Sequence, residues 1–388
     1  MTVTDTDTDT AFLADVCRIA DEVAAKHALD VDANARFPHE SIDALRAAGG
    51  LGAFLGPEHG GPGISFETIA TACFELGRRC GASAMVFAMH QIQVISMARH
   101  REGHPFFDDY LRRVVSEQRL VASATSEVGK GGDMGISIAS LEPAGDGQVR
   151  FVKEGPTVSY GAHADDLFTT VRRAPDAEPS DQVAVLSMAG QHQLEQKGTW
   201  DPFGMRGTCS PGFVVSATVP EGQALPFADL GPQSMVPVSH VLWSQLWLGI
   251  ATDAFDRARA FVRASAKRSP GTTPPAATHL SHVMSELSLL RAEVCQGLTD
   301  YVGHMDDREW LSTLQAVLRF NNLKLAASEQ APRVCQGAMG VSGIVGYKND
   351  TPFAVGRHLR DSMSACLMIA NERIHQTNAG LLLIAKDV

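Results

Sequence analysis

The stretch CQGAMGVSGIVGYKNDTPFAVGRHLRD, residues 335–361, constrains what this chain can fold into more than any other segment. A polar Gln336 is followed by four closely spaced glycines, which are Gly337, Gly340, Gly343 and Gly346. Glycine tolerates positive φ angles and lets a flat or anionic ligand come close to the backbone. Because the sequence on both sides has helical periodicity, the segment predicts a break between two helices that could hold such a ligand.

The composition narrows the class of protein. The chain has 388 residues, of which 44% are apolar and 20% charged, so it can bury a large core in two or three domains. A net charge of −11 argues against nucleic acid as the main partner, although a local cluster of cations could still hold a phosphate. The seven cysteines have no metal-ligand spacing, which predicts reduced thiols in a cytoplasmic protein and no metal site. No apolar run is long enough to predict a membrane span, and the N-terminus lacks the pattern of a signal peptide.

The chain has successive regions with different sequence patterns. The Thr-Asp repeat at the start predicts a disordered tail over residues 1–10, and helical periodicity then predicts a helical domain over 11–118. Short β-prone runs separated by Gly, Pro and Asp turns predict an antiparallel β-barrel or sandwich over 119–230. Four long amphipathic stretches predict a four-helix bundle over 231–388. The predicted fold class is therefore α+β, with helices at both ends.

The glycine-rich stretch resembles the Gln-x-x-Gly-Gly-x-Gly-Tyr…Pro…Arg-x-x-Arg-Asp signature of the acyl-CoA dehydrogenase superfamily, and the order of helices, strands and helices is similar to that fold along nearly the whole chain. The resemblance implies an FAD cofactor, with FMN as an alternative. It implies that Gln336, Gly337 and Gly340 contact the flavin of a neighbouring subunit. The expected assembly is then a homotetramer built as a dimer of dimers.

A second glycine-rich segment, SATSEVGKGGDMG at residues 123–135, is similar to the family's Thr-Glu-Pro-x-Ala-Gly-Ser-Asp loop. Ser126 matches the family Thr and Asp133 its Asp, whereas a valine replaces the Pro and Gly132 replaces the Ser. The resemblance implies that Ser126 and Gly132 hold the flavin edge and that Gly131 lies beside the substrate. The alternative is a glycine-rich hairpin without a ligand.

Two further segments have counterparts in the family. VSYGAHADDLF resembles the run that flanks the flavin, which implies flavin contacts for Ser159 and for Thr157, where the family has an aromatic residue. The alternative for Ser159 is a strand hydroxyl bonded to backbone. FGMRGTCSPGF is similar to a Gly-x-Arg-Gly-Ser turn beside the substrate entrance, so Arg206 either contacts a substrate phosphate or pairs with a carboxylate within the fold.

One family feature is missing from the first helix of the bundle. The family has an Arg-x-x-Phe-Gly run there, whose Arg contacts the FAD pyrophosphate, whereas this chain reads RASAKRSPG with Ser265 at that position. Arg263, Lys267 or Arg268 could take its place. Otherwise the dinucleotide is held loosely or FMN is used.

The catalytic carboxylate of the family is missing as well. Dehydrogenation of a thioester transfers an α-proton to a carboxylate and a β-hydride to the flavin. The position nine residues after Arg360 is Ile369, and the alternative position on the first bundle helix is about Ser239. Ile369 is therefore expected to contact the substrate without acting as a base.

Two residues could replace that carboxylate. Glu372 lies three residues after Ile369, which is about one helical turn along the same face, although such a residue is more often an exposed or capping residue paired with Arg373 or His375. His90 lies on an apolar helix of the N-terminal domain, where a histidine is more often a hydrogen-bonded core residue. Both are candidate catalytic residues.

The sequence thus leaves three functions open. The resemblance first implies an FAD-dependent α,β-dehydrogenase that acts on an acyl-CoA or acyl-carrier-protein thioester with a non-standard base, in fatty acid or secondary metabolism. The second is a flavin monooxygenase or oxidase on the same fold, which needs no carboxylate. The third is a non-catalytic partner subunit that keeps the fold and the flavin contacts.

Overall fold

The computed structural model describes residues 3–131 and 133–385, with helices at both ends of the chain and strands in the middle. The helices are α1 (Val3–Ile19), α2 (Ala25–Ala33), α3 (His39–Ala47), α4 (Phe66–Arg79), α5 (Gly81–His100), α6 (Pro105–Glu117), α7 (Phe227–Leu230), α8 (Val236–Arg268), α9 (Ala276–His304), α10 (Arg308–Leu311), α11 (Leu314–Tyr347), α12 (Gly356–Met363) and α13 (Asn371–Leu382). The strands are β1 (Val121–Ala124), β2 (Glu142–Gly145), β3 (Gln148–Gly155), β4 (Asp166–Arg172), β5 (Gln182–Ser187), β6 (His192–Lys197), β7 (Gly212–Pro220) and β8 (Ala224–Pro226). Across the described residues, no helix combines the length and the apolar character that a membrane crossing requires.

The N-terminal helices pack through the apolar face that the sequence predicted. Phe12, Val16 and Ile19 of α1 are all buried. The disordered tail predicted over residues 1–10 is corrected, because α1 already begins at Val3. Asp9 on this helix accepts a hydrogen bond of 3.0 Å from the backbone N–H of Ser65, the residue that caps α4. The Thr-Asp repeat is therefore partly held by a contact with a distant helix cap that the sequence does not reveal.

Glycines allow the first long helix of the C-terminal part to cross the N-terminal helices closely. A Cβ atom on Gly77 of α4 would lie 2.5 Å from the carbonyl oxygen of Leu246 on α8. A Cβ atom on Gly249 of α8 would lie 2.3 Å from the carbonyl oxygen of Phe74 on α4. Because real side chains cannot approach a backbone so closely, both positions need glycine. This crossing joins the two helical parts directly.

The middle of the chain forms two four-stranded sheets, ordered β1-β4-β5-β8 and β2-β3-β7-β6. Two sheets agree with the sandwich rather than with the barrel. The prediction of purely antiparallel strands is corrected at one pair, since β1 runs parallel to β4 with Val121 opposite Asp166. The two sheets are also joined by a buried side chain, because Lys153 Nζ on β3 donates to the carbonyl oxygen of Thr170 on β4 at 2.6 Å.

Three long helices, α8, α9 and α11, form most of the C-terminal bundle. The helix break predicted within residues 335–361 is confirmed, but it comes late in the stretch, because the chain stays helical through Gly337 and Gly340, and α11 ends at Tyr347 before α12 begins at Gly356. Within α11 the non-helical residue is Gly343, with φ 55° and ψ −141°, which kinks the helix near its end. Small residues within a helix favour close packing against a neighbour, and that is how Gly337 is used here. A Cβ atom on Gly337 would lie 2.7 Å from Cγ2 of Val283 on α9.

The fourth element of the bundle is broken, whereas the sequence predicted one continuous helix. Helix α12 ends at Met363 and α13 begins at Asn371. Between them Ile369 has a φ of +47°, which a right-handed helix cannot accommodate. The assumption that Glu372 follows Ile369 on one helix face is therefore wrong. This break lies beside the cavity described next.

Candidate active site

A cavity of about 660 Å³ lies where the loop after β1, the starts of α8 and α11, and the break before α13 meet. Such a volume is typical of small-molecule sites. The lining is mainly apolar, and its larger apolar members are Met134, Phe227, Val236, Leu311, Val317, Phe320, Ile369 and Ile374. Its polar side chains are those of Asp133, His240, Asn321, Arg373, Gln376 and Thr377. The cavity is therefore an apolar site with a few polar groups.

Three of the predicted flavin contacts lie on the loop after β1 and on the segment after β3. Ser126 Oγ donates to the carbonyl oxygen of Thr157 at 2.6 Å. Ser159 Oγ accepts from Ser210 Oγ at 3.0 Å, and the side chain of Thr157 is exposed. Ser126 and Thr157 are thus in direct contact, whereas Ser159 is bonded to Ser210. Gly132, the fourth residue predicted to hold the flavin edge, lies outside the described residues.

A buried carboxylate anchors this loop from behind. Glu127 accepts from the backbone N–H groups of Ala139 at 2.6 Å and Ile138 at 3.0 Å. Burial alone would raise the pKa of Glu127, but these two amides and the charge of Lys153, 3.8 Å away, hold it below its ordinary value. Glu127 therefore stays ionised and fixes the loop without entering the cavity.

An arginine on α13 connects that helix to the loop. Arg373 Nε donates to the carbonyl oxygen of Gly131 at 2.5 Å, and Arg373 Nη1 lies 4.0 Å from Asp133 Oδ2. Gly131 has a φ of +58°, so its carbonyl points where few other residues could direct it. Gly131 was predicted to contact substrate, and the structure places it under Arg373 at the edge of the cavity.

Ile369 lines the cavity, and a buried lysine holds its backbone. Lys324 Nζ on α11 donates to the carbonyl oxygen of Ile369 at 2.8 Å and to Asn371 Oδ1 at 2.5 Å. Burial lowers the pKa of Lys324 to about 8. The position where the family resemblance implies a carboxylate therefore carries an apolar side chain. Its segment is held in place by the hydrogen bonds of Lys324.

The two other carboxylate positions do not supply a base to this cavity. Glu372 is exposed and is not part of the cavity lining. Ser239 Oγ donates to the carbonyl oxygen of Val236 at 2.8 Å, within the first turn of α8. The structure therefore favours the exposed interpretation of Glu372 over the catalytic one.

His90 is a hydrogen-bonded core residue. Its Nε2 donates to the carbonyl oxygen of Leu51 at 2.8 Å, and its Nδ1 accepts from the backbone N–H of Val121 at 3.1 Å. Both ring nitrogens are thus occupied by backbone groups. Burial lowers the pKa of His90 to about 4, so the ring is neutral near pH 7. His90 joins α5 to β1 and has no nitrogen left for a substrate.

His240 is a site residue that the sequence argument missed. It lies on α8 directly after Ser239, lines the cavity and is 1% exposed. Its Nδ1 lies 3.1 Å from the carbonyl oxygen of Phe320, whereas its Nε2 has no hydrogen-bond partner among the described residues. Burial and the nearby charge of Lys324 lower the pKa of His240 to about 3. The alternative base position predicted from the sequence, about Ser239, is the residue directly before His240.

The remaining predicted residues lie away from the cavity. Arg206 Nε donates to the carbonyl oxygen of Asp32 at 2.8 Å, and its Nη1 lies 2.7 Å from Asp201 Oδ1, so Arg206 joins the β region to the N-terminal helices. The structure supports that pairing interpretation. Gln336 and Gly340 are exposed on α11. Neither contributes to the lining of this cavity.

Comparison with known proteins defines the class of protein. Residues 6–116 match the model of the acyl-CoA dehydrogenase N-terminal domain. The human mitochondrial short-chain specific acyl-CoA dehydrogenase is 23% identical over 359 residues, which is 90% of this chain and 84% of that protein. Residues 6–116 thus match the N-terminal domain of acyl-CoA dehydrogenases, the chain is similar to such an enzyme along most of its length, and the resemblance seen in its sequence is confirmed.

Other similar proteins carry out different reactions. The amino sugar nitrososynthase DnmZ of Streptomyces peucetius is 23% identical over 336 residues, which is 84% of this chain and 81% of that protein. The FMN-bound structure of TdsC, a dibenzothiophene monooxygenase of Paenibacillus sp. A11-2, has a TM-score of 0.81 with 18% identity and covers 96% of this chain and 97% of that chain. Dehydrogenases and oxygenases therefore share this fold, and the fold alone does not define the reaction.

Proposed function

We propose that this protein is a flavin-dependent monooxygenase that acts on a small, mainly apolar substrate. The observation that carries the proposal is Ile369, an apolar side chain at the position where a dehydrogenase needs a carboxylate. Abstraction of an α-proton requires a positioned base. Among the described lining residues the one carboxylate is that of Asp133, and its Oδ1 accepts from the backbone N–H of Gly135 at 2.8 Å. Oxygen transfer does not require such a base.

Polar groups beside the cavity fit a flavin ring. Ser126 Oγ and the Thr157 carbonyl group lie next to each other, and the loop that carries Ser126 also lines the cavity through Asp133, Met134 and Gly135. A flavin ring needs such hydrogen-bonding groups along its heteroatom edge. When bound and reduced, flavin supplies two electrons to dioxygen, so that one oxygen atom enters the substrate and the other leaves as water. The apolar lining excludes bulk water from that reaction.

Residues at the end of α8 bear on whether the flavin is FMN or FAD. Ser265 replaces the arginine that the family uses for the pyrophosphate, and Arg263, Lys267 and Arg268 lie close by on the same exposed helix end. An FMN, or an FAD held partly by these cations, is consistent with this arrangement. One similar solved structure supports FMN, since TdsC was solved with FMN.

Assembly into a homotetramer remains part of the proposal. Gln336 and Gly340 lie exposed on α11, and the same end of that helix exposes Ile344 at 70% and Tyr347 at 67%. A second copy would cover these apolar side chains. Truncation after Pro332 should then remove both association and flavin uptake, which gel filtration and flavin fluorescence would report.

Dehydrogenation of an acyl thioester, the first function implied by the sequence, is the alternative. The carboxylate of Asp133 in the cavity lining is the observation that favours it. The two functions differ in the source of the electrons. A dehydrogenase takes them from the thioester, whereas a monooxygenase receives them from an external reductant.

The test uses the purified protein loaded with FMN or FAD. We expect that no acyl-CoA from a short panel bleaches the flavin band anaerobically. We expect that chemically or enzymatically reduced flavin, ¹⁸O₂ and an apolar aromatic substrate such as indole give a product with one ¹⁸O atom. Bleaching by a thioester would overturn the monooxygenase proposal in favour of dehydrogenation.

A pair of variants separates the candidate bases. Glu372→Gln should leave oxygen incorporation unchanged, because Glu372 is exposed outside the cavity. Ile369→Glu places a carboxylate at the cavity and should create thioester-dependent bleaching if the substrate binds as in a dehydrogenase. Loss of all activity in Glu372→Gln would show that this residue acts in a different conformation.

A further inference from the structure

His240 is a buried histidine with one occupied and one unoccupied nitrogen. Its Nδ1 lies 3.1 Å from the carbonyl oxygen of Phe320. A carbonyl oxygen can only accept, so the proton of the neutral ring is on Nδ1. Nε2 then carries a lone pair, and it has no partner among the residues that the structure describes. A buried acceptor without a donor is destabilising unless something else satisfies it.

The ring is held in this tautomer and orientation. His240 is 1% exposed on α8, and its ring centroid lies 6.4 Å from that of Trp243, one turn further along the helix. Burial, followed by the charge of Lys324, lowers the pKa of His240 to about 3, so the ring stays neutral near pH 7. A neutral imidazole with its proton fixed on Nδ1 is an acceptor at Nε2.

The lining of the cavity indicates which kind of ligand could donate a hydrogen bond to His240. Apolar side chains such as Phe227, Val317 and Phe320 form much of the wall. The two charged side chains among the described lining residues, Asp133 and Arg373, have opposite signs and lie 4.0 Å apart. The wall therefore adds no net charge and suits a compact, uncharged ligand.

We infer that His240 Nε2 accepts a hydrogen bond from an N–H or O–H group of the substrate, and that the substrate is a compact, uncharged, mainly apolar molecule with such a donor. The inference rests on the proposed function in one respect, since it takes this cavity as the substrate site. It assigns His240 to specificity rather than to chemistry. A site built around a buried acceptor rejects an analogue that lacks the donor, because the acceptor is then left unpaired.

Two bicyclic probes of similar shape test the donor. Indole has a ring N–H, and benzothiophene has sulfur in its place. Calorimetric titration without reductant should show indole binding roughly five- to tenfold more tightly, as expected for one buried hydrogen bond. Equal affinities, tighter binding of benzothiophene, or binding of neither probe would overturn the inference.

Two substitutions at His240 assign the preference to Nε2. His240→Asn keeps a side-chain donor near the position of Nδ1, and so can keep the bond to the Phe320 carbonyl, but it removes the acceptor. We expect its preference for indole to fall to about one, whereas His240→Gln, which can place an amide oxygen near the position of Nε2, should restore part of it. A preference that persists in His240→Asn would overturn the assignment.

Wild-type protein provides a second readout should the Asn variant not fold. In ¹⁵N-histidine-labelled protein, the unprotonated ring nitrogen of His240 should shift on addition of indole and much less with benzothiophene. An unchanged resonance with saturating indole would overturn the inference. These measurements do not depend on turnover. A retained indole preference without oxygen incorporation would refute the proposed function alone, and the reverse result would refute the role of His240 alone.

Discussion

Two buried lysines border the candidate site from opposite sides, and their surroundings differ. Lys153 Nζ lies between the two sheets, 2.6 Å from the carbonyl oxygen of Thr170 and 3.8 Å from the carboxylate of Glu127. Lys324 Nζ lies in the helical bundle and donates to the carbonyl oxygen of Ile369 and to an amide oxygen. Lys153 supports the loop after β1, and Lys324 supports the break before α13.

The two lysines also differ in pKa. Burial lowers the pKa of Lys153 to about 7, with Lys130 adding to the effect and Glu127 opposing it. Burial lowers the pKa of Lys324 to about 8. Carboxylates act on both lysines, Glu127 on Lys153 and Glu329 on Lys324, but Lys153 has the lower pKa because it is more completely buried and Lys130 lies close by. A nearby carboxylate does not by itself keep a buried lysine charged.

The largest effect on stability is expected from Lys153→Met. Below the Lys153 pKa of about 7, this change removes the cation beside Glu127, whose charge then remains buried with only its hydrogen-bond donors. Loss of one partner of a buried pair should lower the free energy of unfolding by on the order of 3 kcal/mol, measured by urea denaturation. The double variant Glu127→Gln/Lys153→Met should recover part of this loss. If it is no more stable than the single variant, the two residues are not energetically coupled.

Lys324→Met should have a smaller effect on stability and a larger effect on the site. It removes the side-chain donor of the Ile369 carbonyl oxygen and one of two donors to Asn371 Oδ1, whose other donor is Ser328 Oγ. This loss should lower the free energy of unfolding by roughly 1–3 kcal/mol. The segment that carries Ile369 should then lose its fixed position, and indole affinity should fall. Lys348→Met, at an exposed position after the same helix, is the matched control and should change neither quantity. Unchanged indole binding in Lys324→Met would show that the cavity does not need this lysine.

The two lysines also predict a pH dependence of stability. Both folded-state pKa values, about 7 and about 8, lie below the ordinary lysine value of about 10.4. Between these values the unfolded chain binds more protons than the folded one, so each lysine makes the free energy of unfolding rise with pH. The difference between wild type and Lys153→Met should begin to change near pH 7, and that between wild type and Lys324→Met near pH 8. Difference curves that stay flat up to pH 10 would contradict both shifts.

The sequence predicted the order of helices, strands and helices, because that order follows local patterns, whereas the flavin contacts of Ser126, Thr157 and Ser159 stay predictions. It did not predict the break around Ile369. The segment between α12 and α13 contains no glycine or proline, and its apolar spacing continues that of a helix. The structure instead has a lysine 45 positions earlier in the chain bonded to the Ile369 carbonyl. Contacts of this kind leave no local signal.

His240 shows the same limit for the site. A histidine on an apolar helix is usually a core residue, and His90 follows that rule with both nitrogens bonded to backbone groups. His240 is equally buried, but one of its nitrogens lacks a partner among the described residues. The two cannot be told apart from sequence, because the difference depends on which backbone groups the fold brings to each ring.

The smallest expected effect concerns the loop that Lys153 supports. Gly131→Ala must place a Cβ atom at φ +58°, and that atom would lie 2.8 Å from Arg373 Nη2. Gly103→Ala is the matched control, since Gly103 has a φ of +79° and a Cβ atom there would meet nothing within 4 Å. Both variants should lose about 1 kcal/mol from backbone strain, measured by urea denaturation. Gly131→Ala alone should also displace Arg373 and weaken the link between the loop and α13. Indole affinity should therefore change only in Gly131→Ala, and an equal change in both variants would show that the Arg373 link does not shape the cavity.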